Sequence, residues 1–164
     1  MKIFIAKDAG YCFGVRDAVN MAYDTADQNG DVYMLGTIVH NERVIENLDK
    51  AGAKVVGKID EVPNGKTLLF RAHGTSPKLW EEAKNKNINL VDGTCPLVTE
   101  IHHEIKALQK EGRKTIIVGD HGHDEVVAIA AQVEKPIIIA NVGEARRMRK
   151  IKRAGIVSQS TQMI

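Results

Sequence analysis

Two cysteines and three histidines in this chain stand where an apolar run gives way to a turn. Cys12 lies in Gly-Tyr-Cys-Phe-Gly, Cys95 lies in Asp-Gly-Thr-Cys-Pro, and His40, His73 and His123 occupy comparable turns. Ligand sites in open α/β sheets form beyond the ends of strands. Thiolates bind soft metals and iron–sulfur clusters, and imidazoles donate hydrogen bonds to anionic oxygens. We therefore predict that these five residues, distant in sequence, share one site.

Each cysteine directly precedes a predicted helix, and a helix N-terminus stabilises a thiolate through its free N–H groups and dipole. Two thiolates do not complete an iron–sulfur cluster, so a cluster requires a further ligand from outside this sequence. A tetrahedral zinc site of Cys12, Cys95 and two histidines is an alternative, although no C-x-x-C spacing supports it. Another is that both cysteines are small buried hydrophobic residues.

The imidazoles of His40, His73 and His123 are suited to a phosphorylated substrate, because three converging donors match its oxygens. The alternative for each is an ordinary surface loop. His102 and His103 lie in an amphipathic helical pattern, and we expect both on the surface. The sequence leaves the role of His121 open.

A carboxyl group, Glu125, follows His123 by two residues, and an acid beside an imidazole in a dry site can deliver protons. Its alternative role is that of an acid favoured by the helix dipole, with Asp124 competing to cap the helix. Near the C-terminus, Ser158-Gln159-Ser160-Thr161 is a hydroxyl-rich strand end that either binds phosphate oxygens or forms a plain turn.

Short β-branched runs alternate with longer segments of helical periodicity. Strands are predicted at 2–6, 32–35, 67–71, 88–91, 114–118, 136–140 and 154–158, and helices at 14–28, 42–51, 76–85, 97–111, 124–132 and 143–149. This alternation predicts an α/β fold of parallel sheets with helices on both faces. The rhythm restarts near residue 95, which predicts two similar small lobes, residues 1–95 and residues 96–164.

The composition excludes several functional classes. With 23 Lys+Arg against 21 Asp+Glu, the net charge of +2 argues against nucleic acid or an acidic membrane as partner. No apolar run reaches the length of a membrane span and no signal peptide is recognised, so we expect a cytoplasmic protein with free thiols. The P-loop, G-x-G-x-x-G and G-x-S-x-G motifs are absent, which disfavours an ATPase, a nicotinamide enzyme and an α/β-hydrolase.

Six motifs, in order along the chain, carry a family resemblance. They are Gly10-Tyr11-Cys12-Phe13-Gly14-Val15, Val39-His40-Asn41, Ala72-His73-Gly74, Thr94-Cys95-Pro96-Leu97-Val98, Gly122-His123-Asp124-Glu125 and Ser158-Gln159-Ser160-Thr161. Together they resemble the 4-hydroxy-3-methylbut-2-enyl diphosphate reductase (IspH/LytB) family over the whole chain.

The resemblance implies an enzyme that reductively removes the allylic hydroxyl of 4-hydroxy-3-methylbut-2-enyl diphosphate. The products are water and a mixture of isopentenyl and dimethylallyl diphosphate, in the last step of the methylerythritol phosphate route to isoprenoids. It also implies a [4Fe–4S] cluster held by three cysteines, and ferredoxin or flavodoxin as electron donor. By motif, Cys12 and Cys95 resemble two cluster ligands, His40, His73 and His123 the diphosphate or pocket histidines, Glu125 the proton-supplying acid, and Ser160 the usual threonine near the substrate hydroxyl.

The chain departs from the family in its extent. The family has three similar α/β lobes around a central cluster, and this chain supplies about two of them. The third cysteine ligand and a further diphosphate-binding motif are therefore expected outside these residues. The resemblance predicts an incomplete reductase, and the alternatives are a non-catalytic diphosphate-binding module and a zinc or thiol protein.

Overall fold

Two parallel sheets flanked by helices form the architecture of the chain. The structure is a computed structural model that describes residues 2–4 and 12–160. The pairings within both sheets are parallel, which confirms the predicted α/β class. The strands are β1 (Val32–Leu35), β2 (Ala53–Val56), β3 (Thr67–Phe70), β4 (Asn89–Asp92), β5 (Lys114–Val118), β6 (Ile137–Ile139) and β7 (Ala154–Ser158). The helices are α1 (Phe13–Asn29), α2 (Glu42–Lys50), α3 (Pro77–Lys84), α4 (Pro96–Lys110), α5 (Asp124–Ala130) and α6 (Val142–Arg147), with a short 3-10 helix at Ile59–Glu61.

The first sheet has the strand order β2-β1-β3-β4 and is covered on both faces. Successive side chains of a strand point to opposite faces. In β1, Val32 and Met34 accordingly join one apolar cluster, while Tyr33 and Leu35 pack against the other. Burial on both faces explains why this strand reads as a continuous apolar run rather than as an alternating one.

The second sheet has the order β6-β5-β7. Its core joins Ile105 of α4, Ile117 of β5, and Val126 and Ile129 of α5. Helix α4 packs against β5 and β7, so the chain enters the second sheet's environment directly after Cys95. The division into two lobes at residue 95 stays a prediction.

Most predicted elements are confirmed to within a few residues, and one strand was missed. The missed strand, β2, is four residues long, includes Lys54, and exposes its two central residues, so it has neither a long apolar run nor an alternating pattern. Residues 2–4 form no strand, and residues 5 and 6 of the predicted first strand lie outside the described residues. Within the described ranges, no helix combines the length and the apolar character needed to cross a membrane.

Candidate functional site

A single cavity of about 560 Å³ is lined by both cysteines, three of the histidines, Glu125 and Ser160. It lies beyond the carboxyl ends of strands from the first sheet and reaches the start of α5 on the second. Its volume is in the range of small-molecule sites, about 300–1,000 Å³. The predicted residues in its wall are Cys12, His40, His73, Cys95, His123, Glu125 and Ser160, and the others are Val15, Ile38, Val39, Asn41, Ala72, Leu97 and Val98.

Each cysteine is the residue that directly precedes the first turn of a helix. Cys12 is the N-cap of α1 and Cys95 is the N-cap of α4, and neither side chain makes a capping hydrogen bond. Both are free thiols, with Cys12 exposed and Cys95 half-buried. Both thiols therefore stand at a helix start and are free to act as ligands.

The first turn of α1 packs closely against the thiol of Cys95. A Cβ at Gly14, two residues after Cys12, would lie less than 3.0 Å from Sγ of Cys95, closer than real Cβ contacts come. The backbone N–H of Cys95 donates to the carbonyl of Ala72 at 3.0 Å, which ties this cysteine to the histidine-containing turn after β3. The absence of a side chain at Gly14 leaves the room that the Cys95 sulfur occupies.

Three imidazoles form a cluster in the cavity. The ring centroids are 5.1 Å apart for His40 and His73, 5.7 Å for His73 and His123, and 6.2 Å for His40 and His123. His123 is also the N-cap of α5, since its Nδ1 accepts from the N–H of Glu125 at 3.2 Å. The expectation that Asp124 competes for this cap is wrong. Because Nδ1 accepts, the proton of a neutral His123 is on Nε2, which is therefore a donor.

His73 has an unmet hydrogen-bonding group. Its Nδ1 is buried and has no hydrogen-bond partner among the residues that the structure describes. Burial lowers the pKa of His73, and repulsion from His40 and Arg71 lowers it further. A neutral imidazole with a buried unsatisfied nitrogen is unfavourable, and a ligand that bonds this nitrogen would recover the lost hydrogen bond.

The carboxyl group of Glu125 is buried, at 3% exposure, and is held by the segment that follows β7. Its Oε1 accepts from the backbone N–H of Ser160 at 2.7 Å, and its Oε2 accepts from the Ser160 hydroxyl at 2.8 Å. The structure thus brings the two predicted residues into direct contact. Thr161, the last residue of that motif, lies outside the described residues.

A possible metal-binding group also borders the cavity. In the described part of the chain, the one such group joins His40, His73 and Asp124, whose ligand atoms lie within 4.8 Å of one another. Neither cysteine belongs to this group. Asp124 is already paired, because its Oδ2 is 2.7 Å from Nη1 of Arg71.

One of the histidines expected on the surface is buried. His102 is 8% exposed, and a Cβ at Gly74 would lie 2.6 Å from its Cε1, so the ring lies directly under the turn that carries His73. Desolvation, assisted by Lys106, lowers the pKa of His102 to about 4. His103 is exposed, as expected.

The remaining histidine, which the sequence left open, lies away from the cavity. His121 is exposed and pairs through Nε2 with the carboxylate of Glu144 at 3.0 Å. The hydrogen bond from the N–H of Ala140 and, to a smaller extent, the one with His121 lower the pKa of Glu144.

No role was predicted for Asn41, which lines the cavity, or for Arg71, and only a capping role was predicted for Asp124. Arg71 and Asp124 line a neighbouring cavity. Asn41 caps α2 by accepting from the N–H of Val44 at 3.2 Å while it also lines the cavity. The available signal for Arg71 was a cation at the end of a strand, directly before Ala-His-Gly. Its partner lies 53 residues away, so no local pattern reveals the pair.

The fold and the site define the class of protein. A family model described as LytB protein matches residues 3–164, and the chain belongs to this family. The match covers all six motifs, including those that supply the thiols, imidazoles and carboxyl group of the cavity.

Particular relatives carry a more specific name. The 4-hydroxy-3-methylbut-2-enyl diphosphate reductase of Geobacter sulfurreducens is 37% identical over 163 residues, which are 99% of this chain and 57% of the relative. The protein of the same name from Clostridioides difficile is 36% identical over 98% of this chain and 59% of its own length. The chain therefore spans less than two thirds of the relatives that it matches.

Two solved structures are similar to this fold. The E-1-hydroxy-2-methyl-but-2-enyl-4-diphosphate reductase from Plasmodium falciparum superposes with a TM-score of 0.89 at 30% identity, over 95% of this chain and 50% of that one. A structure of (E)-4-hydroxy-3-methyl-but-2-enyl diphosphate reductase, described as the terminal enzyme of the non-mevalonate pathway, gives 0.86 at 32% identity, over 98% and 59%.

Proposed function

We propose that this chain provides two cluster ligands, the histidine pocket and the proton donor of a reductase acting on 4-hydroxy-3-methylbut-2-enyl diphosphate. The observation that carries the proposal is the single cavity lined by both thiols, three imidazoles and one buried carboxyl group. This donor set combines groups for a soft metal cluster, an anion and a proton transfer in one space. The names of its relatives supply the substrate.

The thiol pair fits an iron–sulfur cluster. Cys12 and Cys95 are unbridged, neither is used in capping, and the missing side chain of Gly14 leaves room for the Cys95 sulfur. A [4Fe–4S] cluster bound there would supply the electrons for reduction and a Lewis-acidic iron. The sequence contains two cysteines in all, so a third cysteine ligand comes from outside these 164 residues.

The histidine cluster is suited to the diphosphate. Nδ1 of His123 accepts from the N–H of Glu125, which leaves Nε2 as the donor, and the buried Nδ1 of His73 has no partner within the described part of the chain. Diphosphate oxygens accept hydrogen bonds from such groups, and binding the remote diphosphate would position the reacting end of the molecule. His40 lies within 5.1 Å of His73, measured between ring centroids, and completes the cluster.

Glu125 is suited to proton delivery. Removal of the hydroxyl as water, with reduction at carbon, consumes two electrons and two protons. A buried carboxylic acid that borders the cavity can protonate the leaving hydroxyl. Ser160 orients this carboxyl group, since its N–H and its hydroxyl each donate to one of the two oxygens. Electrons would arrive from a small carrier such as ferredoxin or flavodoxin.

Anaerobic reconstitution with ferrous iron and sulfide tests the proposal, with a small thiol added as a third ligand. We expect iron and sulfide to bind the chain with a visible charge-transfer spectrum that is lost in Cys12→Ser and in Cys95→Ser. His121→Asn, which removes an imidazole outside the cavity, is the control and should keep the spectrum. Stoichiometric zinc uptake in place of a cluster would contradict the proposal. Retained diphosphate affinity without either metal would instead support a non-catalytic binding module.

A further inference from the structure

Among residues 2–4 and 12–160, one ion pair joins the two sheets, beside the cavity that the histidines line. Arg71 follows β3 of the first sheet, and Asp124 is the first residue of α5 on the second. Nη1 of Arg71 is 2.7 Å from Oδ2 of Asp124, and the two side chains are 26% and 32% exposed. The guanidinium lies over Gly36, where a Cβ would come within 2.7 Å of Nη1. Because the pair is partly shielded, its charges interact more strongly than those of an open surface pair.

The two residues of the pair are close in sequence to pocket residues from both sheets. Arg71 is two residues before His73, and Asp124 stands between His123 and Glu125. A second contact between the same two parts of the chain comes from Gln132, whose Nε2 donates to the carbonyl of Thr75 at 3.2 Å. The ion pair therefore lies at the junction between the α5 end and the β3 end of the pocket.

The pair also decides the charge at the pocket's edge. Asp124 offers a carboxylate oxygen within 4.8 Å of ligand nitrogens of His40 and His73. An unpaired carboxylate at that distance would repel a diphosphate bound to these imidazoles. In the structure the guanidinium of Arg71 is paired with this carboxylate, so the pair itself carries no net charge at this edge of the pocket.

We propose that Arg71 is a positioning residue for anion binding that acts through Asp124: it neutralises a carboxylate that would otherwise repel a diphosphate. This inference rests on the proposed function, because it takes the histidine cluster to be an anion pocket. It adds to that function a residue pair whose contribution is electrostatic balance rather than direct contact with the ligand.

Titration calorimetry with inorganic diphosphate separates charge balance from other roles. Arg71→Met should weaken binding at least about tenfold, because it leaves Asp124 unpaired. Asp124→Asn should bind as tightly as the wild type or more tightly, since Asn can still accept from Arg71 and no carboxylate remains. The double variant should return to within about threefold of the wild type, because the net charge of the pair is again zero. Lys54→Met removes a cation from an exposed pair with Asp31 and is the matched control.

The pKa of His73, measured by NMR without ligand, is the second readout. The groups acting on it are His40, Arg71 and His123, which lower it together with burial, and Asp124, which raises it. Arg71→Met should raise this pKa and Asp124→Asn should lower it. A purely mechanical role of the pair would produce no such opposite shifts.

The two proposals fail in different ways. If the wild type does not bind diphosphate, the anion pocket of the proposed function is wrong, and the His73 shifts still decide whether the pair balances charge. If the wild type binds but both single variants weaken equally and the double variant is not restored, the inference is wrong. Should Arg71→Met fail to fold, weaker binding by Asp124→Asn alone overturns the inference.

Discussion

Replacing Gly14 by alanine tests how tightly the two cysteine-bearing helices are packed. Gly14 lies in the first turn of α1, and an alanine Cβ there would meet Sγ of Cys95 at less than 3.0 Å, with Cβ of Cys95 at 3.3 Å. Contacts between side-chain atoms are optimal at about 3.5–4.0 Å. The sulfur must therefore move, either by rotating about its Cα–Cβ bond or with a shift of α4.

Two opposing effects set the size of the change. In a helix interior, alanine is favoured over glycine by up to about 1 kcal/mol. Adding a methyl group to a well-packed place costs about 1–3 kcal/mol. The expected result for Gly14→Ala is a loss of about 0–2 kcal/mol in the free energy of unfolding, instead of the gain that helix propensity alone predicts.

A double-mutant cycle with Cys95→Ala isolates the contact. Without the sulfur, Gly14→Ala should stabilise the chain or leave it unchanged, so the coupling between the two positions should be about 1–3 kcal/mol. Urea unfolding under reducing conditions measures the four variants. In Gly14→Ala alone, iron uptake on reconstitution should fall, because the Cys95 thiol no longer occupies its native position.

If Gly14→Ala stabilises the wild-type chain by about 1 kcal/mol and leaves iron uptake unchanged, the Cys95 sulfur does not fill the space next to Gly14. The same conclusion follows if the substitution has an equal effect with and without the Cys95 sulfur, because the new Cβ then does not contact the sulfur.

Two further substitutions test the buried acid and the buried imidazole. Glu125→Gln should preserve the contact with Ser160, because a hydroxyl can accept from the new amide, while Glu125→Ala should cost about 1–3 kcal/mol in urea unfolding. In an enzyme that supplies the third cluster ligand, Glu125→Gln should lower turnover at least about 10²-fold without weakening diphosphate binding, and unchanged turnover would remove Glu125 from proton delivery. Burial lowers the pKa of His102 from 6.5 to about 4, so the unfolded chain is protonated at this imidazole before the folded chain as the pH falls. The free energy of unfolding should therefore decrease by up to about 3 kcal/mol as the pH is lowered from 6.5 to about 4. Comparing urea unfolding across that range should show a shallower pH dependence for His102→Gln, and an equal dependence would contradict the assignment.

Much of the fold and the site was predictable because each depends on local patterns. Helix starts such as Ser76-Pro77 and Cys95-Pro96 are set by short-range capping preferences, and the structure places helix starts at both. The α/β rhythm then forces strand ends to one edge of each sheet, which brings the turns containing Cys95 and His73 together. The strand β2 was missed because its exposed centre carries no such pattern.

The groups that line the cavity could be predicted from the amino-acid sequence, because residue type and placement at strand ends are local properties. Tertiary structure alone decided how those groups are buried, paired and charged. His102, on α4, is inside because Gly74, in the turn after β3 of the first sheet, leaves room for its ring. Asp124 is an ion-pair partner rather than a cap because Arg71 approaches it from the other sheet. Burial and pairing depend on residues that are distant in sequence, and no pattern along a single segment contains them.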